Sequence, residues 1–217
     1  MSDIATFPHR LLLIAVICLV LWPAAEAATF SSRLFGYGET EQPDTQVFGQ
    51  WIQMLERHLR MDIPEGDCTE KRLNRCHMRN WLAFLEGLRG RPRHQQLDAV
   101  NRYANRKEYI LDIDNYGIED YWAVPREFLY NNGDCEDYAI TKLFSLLWLG
   151  VPIDDMRLVV LQDTNLRIPH AVLAVAENDD IMILDNQIQE VVSHHDIVHY
   201  APVYSINEHH WWIHIPL

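Results

Sequence analysis

The order of periodicities along this 217-residue chain predicts an α+β domain, with N-terminal helices packed on an antiparallel β-sheet. Apolar residues recur at helical spacing as far as Leu149 and at strand spacing beyond Pro152. No strands alternate with helices, so a parallel βαβ sheet is excluded. The strongest helix opens on a cysteine, Cys135, set in "NNGDCEDYAITKLFSLLWLGVP".

Residues 1–27 read as a secretory signal peptide. Arg10 precedes the apolar run "LLLIAVICLVLW", and Pro23 and "AAEAA" then supply an Ala25-x-Ala27 cleavage pattern. The run is short of the roughly 20 apolar residues that span a bilayer. An uncleaved tether is the alternative, and a lipoprotein signal at Cys18 is disfavoured by Ile17. Residues 28–217 are then expected as one exported domain.

Residues 29–46 are rich in turn formers ("GYGETEQPD") and read as a loosely packed lead-in. Val47, Trp51, Ile52, Leu55 and Leu59 then mark a first helix. A second covers about 72–88 and ends in the breakers "GLRGRP". A third starts near Leu97, with Val100 and Ala104 on the same face. The stretch "YILDIDNYGIEDYWAVP" reads as extended or loop, and Pro125 opens a short helix through Tyr130. Asn131, Asn132 and Gly133 break the chain. The next helix runs from Cys135 to Leu149, with Asp134 as N-cap and Gly150 as its left-handed stop. "MRLVVLQD", "HAVLAVA", "IMILDN", "PVYSI" and "WWIHI" follow as strands.

A formal charge of −13 argues against a nucleic-acid or anionic-membrane surface and leaves room for a cation or a basic partner. Outside the leader three cysteines remain. Cys68 and Cys76 could form a disulfide or stay unpaired, and either way Cys135 has no obvious partner.

A thiol in the first turn of a helix sees the positive end of the macrodipole, which favours thiolate. Asp134 and Glu136 push the other way, and an unpaired cysteine is often only a small apolar filler. Partners decide between these readings. If "ENDD" (177–180) is the turn of a hairpin, Ala176 pairs with Ile181 and Val172 lies opposite Asp185. His170 and Asp185 then become diagonal neighbours on one face, within reach of a carboxylate for an imidazole. Taken singly, His170 could be a core histidine and Asp185 a turn residue. Together with Cys135 they match nucleophile, base and orienting acid. The histidines His194, His195, His199, His209, His210 and His214 read as surface or packing residues rather than a transition-metal site.

"DYWAVPREFLYNNGDCEDYAITKLFSLLWLGVP" strongly resembles the bacterial transglutaminase-like cysteine proteinases, the LapG-type periplasmic proteases. The likeness continues through "RLVVLQ", "HAVLAVA", "ILDN" and "PVYSINEHHWW". It implies a papain-like, transglutaminase-type core with Cys135 as nucleophile at a helix N-terminus, His170 as base and Asp185 as orienting acid. It also implies a periplasmic enzyme that cuts the N-terminal region of a large surface adhesin. That cut releases the adhesin for biofilm dispersal, and an inner-membrane cyclic di-GMP receptor holds the protease in check. Calcium beside the nucleophile is a further implication, with Asp134, Glu136 and Asp137 as ligands; the alternative is that these acids only cap the helix and complement its dipole. Tyr121 and Trp122 are expected to wall the cleft. Two rival functions share the fold: a transglutaminase-type acyl transferase, and a non-catalytic periplasmic binding module.

Overall fold

The computed structural model describes residue 30 and residues 33–60 and 75–217. The leader expected at 1–27 lies outside them. So does Cys68; Cys76 is disulfide-bonded, and Cys135 is a free thiol.

Among the described residues, seven strands form one antiparallel sheet in the order β1-β7-β6-β2-β3-β4-β5. They are β1 Gly38–Gln42, β2 Met156–Asp163, β3 Ile168–Glu177, β4 Asp180–Leu184, β5 Val192–Ser193, β6 Tyr200–Ile206 and β7 Trp211–Ile215. Among the described residues, six α-helices precede β2: α1 Gly49–Leu59, α2 Arg75–Glu86, α3 Arg93–Ala104, α4 Asp112–Asn115, α5 Pro125–Asn131 and α6 Cys135–Trp148. This is the expected α+β order, with one strand, β1, ahead of the helices.

The helices cover one face of the sheet. Ala139, Ile140, Leu143 and Leu146 of α6 share a buried cluster with Leu158 of β2, Leu173 and Val175 of β3 and Leu184 of β4. Alternation sends the intervening residues to the other face, where Val159, Leu161, Val172, Ala174, Ile181 and Ile183 are closed over by Leu34, Ile197 and Tyr200. With both faces covered, the central strands are apolar almost throughout. Trp81 of α2 anchors α6 by donating from its indole to Ser145 Oγ at 2.9 Å.

The sequence reading misses β1 because "GETEQ" carries no apolar alternation. Its backbone pairs with β7, Gly38 opposite Ile215 through Gln42 opposite Trp211. Its inward anchor is Glu39, which meets Arg157 of β2 at 2.8 Å. The Arg157 guanidinium lies 3.5 Å from the Trp212 ring centroid and 3.9 Å from that of Phe30. The third helix begins at Arg93, a turn before the expected Leu97, because Pro92 starts it and its polar first turn hides the periodicity.

Candidate active site

The start of α6 is shaped by residues around Gly133. Asp137 reaches back to accept from the N–H of Asp134 at 3.2 Å and accepts from the N–H of Ala123 at 2.6 Å. That return presses Asp137 onto Gly133, where a Cβ would stand 2.0 Å from its Oδ2. Glycine is therefore required here for close approach rather than for an unusual φ. The preceding loop joins the same point. Ile110 N–H donates to the Gly133 carbonyl at 2.9 Å, and Asp112 N–H donates to Asp134 Oδ2 at 3.4 Å.

Cys135 is thus held in the first turn, half-buried, with Sγ 3.3 Å from Glu136 Oε2. The backbone N–H of Ala171 in β3 and the Tyr109 hydroxyl both lie close enough to bear on the thiol. The helix that carries the sulfur therefore abuts β3 at the residue after His170. Burial pushes the Cys135 thiol well above its ordinary range, the charges of Glu136 and Asp134 push it further, and the Ala171 N–H pulls it down.

His170 and Asp185 form a buried pair. Ala176 lies opposite Ile181 and Leu173 opposite Leu184, the expected hairpin register. His170 Nε2 meets Asp185 Oδ1 at 2.9 Å. The carboxylate also accepts from Gln187 N–H at 2.9 Å and from the Tyr200 hydroxyl at 2.6 Å. Burial pushes the Asp185 carboxyl upward, yet the bonds from His170 and Tyr200 outweigh it and leave it below its ordinary value. A buried carboxylate with its oxygens so filled holds an imidazole in one orientation.

Beside the thiol lies a knot of acids. Ligand atoms of Asp112, Asp120 and Glu136 fall within 4.8 Å of one another, and so do those of Asp112, Asp134 and Asp137. Burial raises the carboxyls of Asp134 and Glu136, and it raises that of Asp112 to about 6 with help from the charges of Asp134 and Asp120. Asp112 Oδ1 and Asp134 Oδ1 are buried without a hydrogen-bond partner. Orphaned carboxylate oxygens within one cluster of acids are a poor protein-only arrangement and a good cradle for a hard dication.

Of the three acids expected to take calcium, Asp134 and Glu136 belong to this knot with free ligand capacity. Asp137 is different in kind: both its oxygens already hold N–H groups, so its first duty is to brace the loop. Asp112 and Asp120 escape the sequence reading, although "DIDNYGIED" is dense in acid; only the pairing of that loop with Gly133 brings them to Cys135. Tyr109 escapes it for the same reason. Trp122, expected in the cleft wall, is 6 % exposed and packs edge-on against Trp51 in the core. Tyr121 lies tilted against Tyr116, ring centroids 4.2 Å apart, and donates to Glu127. Among the C-terminal histidines, His194 Nδ1 accepts from Phe35 N–H. Its proton therefore sits on Nε2, toward Asp180, which disqualifies that nitrogen as a metal ligand while the ring is neutral.

The profile of the bacterial transglutaminase-like cysteine proteinases matches residues 66–216. Solved structures of Legionella pneumophila LapG are similar to this chain. One shares 32 % identity over 64 % of this chain and 77 % of its own, with a TM-score of 0.59. Its calcium-bound form shares 30 % over 76 % and 86 %, with a TM-score of 0.60. An EGTA-treated form shares 28 % over 79 % and 87 %, also at 0.60. No curated protein matches the chain.

Proposed function

The chain belongs to the bacterial transglutaminase-like cysteine proteinases, and from that premise we propose that it is a calcium-dependent endopeptidase with Cys135, His170 and Asp185 as its triad. The observation that carries this reading is the buried 2.9 Å His170–Asp185 pair, on the strand whose next residue, Ala171, lies close enough for its backbone N–H to bear on the Cys135 thiol. His170 uses Nε2 for Asp185, which leaves Nδ1 to take the thiol proton. The sulfur then attacks a peptide carbonyl, with the Cys135 N–H at the helix start as an oxyanion donor. His170 returns its proton to the departing amine, and water resolves the thioester.

Asp112, Asp134 and Glu136, with Asp120 at the rim, would hold the calcium ion. Bound there, calcium would supply the positive charge that offsets the acids around the thiol. The calcium-bound LapG structure supports this reading.

The substrate we propose is the N-terminal region of a large surface adhesin, cut in the periplasm after export through residues 1–27. Release of the adhesin would promote biofilm dispersal. An inner-membrane cyclic di-GMP receptor would restrain the enzyme. These assignments rest on the family resemblance.

The test is incubation of the purified protein with an adhesin N-terminus, with and without EGTA, read by product mass. Two fragments that vanish with EGTA and with Cys135→Ala are expected. Equal cutting by Cys135→Ala would end the assignment, and a single cross-linked species would turn it to acyl transfer.

A further inference from the structure

Asp185 stands one residue beyond its strand. The ladder between β3 and β4 runs from Glu177 opposite Asp180 to Leu173 opposite Leu184, and His170 pairs with Leu161 of β2. Register sets the face on which the acid lies, but the β3–β4 ladder stops short of it.

Asp185 therefore opens a loop, and the backbone of that loop is gripped from α3. Asn101 and Asn105 lie one turn apart, so their side chains leave the same side of the helix. Asn105 Nδ2 donates to the Asp185 carbonyl at 2.8 Å and to the Ile188 carbonyl at 3.3 Å. Asn101 Nδ2 donates to the Ile188 and Gln189 carbonyls, both at 3.0 Å. An amide nitrogen carries two N–H groups, so each asparagine can serve two carbonyls at once.

Neither side chain is there for the helix. Asparagine is a poor helix former, and Asn101 is fully buried beside Leu97, Val100 and Ala104. Asn105 closes α3, but the cap bond comes from its backbone N–H, on the Asn101 and Tyr103 carbonyls. Its side chain is left for the loop. Both Oδ1 atoms are buried without a hydrogen-bond partner, a cost that an apolar residue would avoid. In addition, α3 packs Leu97 and Val100 into the cluster that holds Ile140 and Leu143 of α6. One helix thus touches the element that carries the nucleophile and grips the loop that carries the acid.

We propose that Asn105, with Asn101 pinning the same loop, is a positioning residue of this site: its amide fixes the Asp185 backbone so that the carboxylate meets His170. The proposal rests on the protease reading. The bonds of the carboxylate to His170, Tyr200 and the Gln187 N–H set its direction once the backbone is in place. The Asn105 bond sets where that backbone stands. Misplacement by about 1 Å can cost about a hundredfold in rate, so a slack loop should be felt at the thiol through His170.

The test needs no substrate. Cys135 is a free thiol. Its carbamidomethylation by iodoacetamide at about pH 6 and fixed calcium, read by intact mass, reports how readily His170 takes the thiol proton. Wild type, Asn105→Ala, His170→Ala and the double variant are compared, each with a melting curve. Asn105→Ala is expected to fold and to react about tenfold more slowly than wild type. In the His170→Ala background the same change should have no effect, because the acid acts only through the imidazole. If Asn105→Ala reacts at the wild-type rate while His170→Ala is slow, the role of Asn105 is overturned and the triad stands. An equal further loss in the double variant would also overturn it, since the effect would then bypass His170. If His170→Ala itself keeps the wild-type rate, the triad falls and the role of Asn105 falls with it. Asn105→Ser, whose hydroxyl is too short to reach the Asp185 carbonyl, carries the same comparison should alanine fail to fold.

Discussion

Replacing Lys142 with methionine should make the protein more stable, and more so in mild acid than in mild base. The amine drops from 10.5 to about 7 on folding, chiefly through burial. Between those values the folded state holds fewer protons than the unfolded chain, so stability rises with pH there. Below about pH 7 the full penalty applies, and the gap of about 3.5 units at 1.36 kcal/mol each sets it near 5 kcal/mol as a ceiling. By pH 9 only about 2 kcal/mol of that penalty remains. Methionine carries no charge and nearly matches the length of the lysine stem, so its advantage over wild type should shrink by about 2.5 kcal/mol from pH 6 to pH 9. The attraction to Asp185 is already contained in the value of about 7, so it needs no separate allowance. Urea unfolding of both proteins at pH 6, 7.5 and 9, at one calcium concentration, reads the difference. A constant difference across pH, or a methionine variant weaker than wild type at pH 6, would refute the reasoning.

Three further outcomes follow from the same structure. Arg157→Ala leaves Glu39 buried without its partner and strips the cation from between Phe30 and Trp212. It should cost about 3–5 kcal/mol and speed amide exchange in β1, and unchanged exchange at Gly38–Gln42 would contradict the pairing role. His214 is lowered from 6.5 to about 4 by burial and by the charge of Arg157. Its neutral form stabilises the fold above pH 6.5, and up to about 3 kcal/mol is lost as pH falls toward 4. His214→Gln should flatten that acid limb in urea midpoints; a limb of unchanged steepness would place the acid sensitivity elsewhere. Gly133→Ala puts a Cβ 2.0 Å from Asp137 Oδ2 and must dislodge that carboxylate from Asp134 and Ala123. A loss of about 2–4 kcal/mol is expected, and an unshifted melting temperature would show that the loop relaxes freely.

The legible parts of this molecule are those written in short-range pattern. The strands Met156–Asp163 and Trp211–Ile215 stand where their apolar runs placed them. The α6 boundaries follow from Asp134 and from Gly150, whose φ of +88° marks the left-handed stop. The hairpin turn at 177–180 set the register, and register alone put His170 and Asp185 on one face. Less legible was any element whose partner lies far along the chain. "GETEQ" becomes a strand because β7 offers a free edge, and Arg93 begins a helix because Pro92 precedes a polar turn.

The site divides the same way. Cys135, His170 and Asp185 were named from local order and from resemblance, since a nucleophile at a helix start and a base–acid hairpin are each contained in a few residues. Asp112, Asp120, Tyr109 and Lys142 were not, because nothing near them in sequence says what they face. By itself the sequence determined the period of each segment and the residues able to do chemistry. Only the tertiary structure decided which acids share the thiol's surroundings, that Asp137 braces the loop, and that a lysine lies buried in α6 without a hydrogen bond. The reason is physical: helix, strand and turn are chosen by neighbours a few bonds away, whereas charge, burial and unmet hydrogen bonds depend on whatever the fold brings alongside.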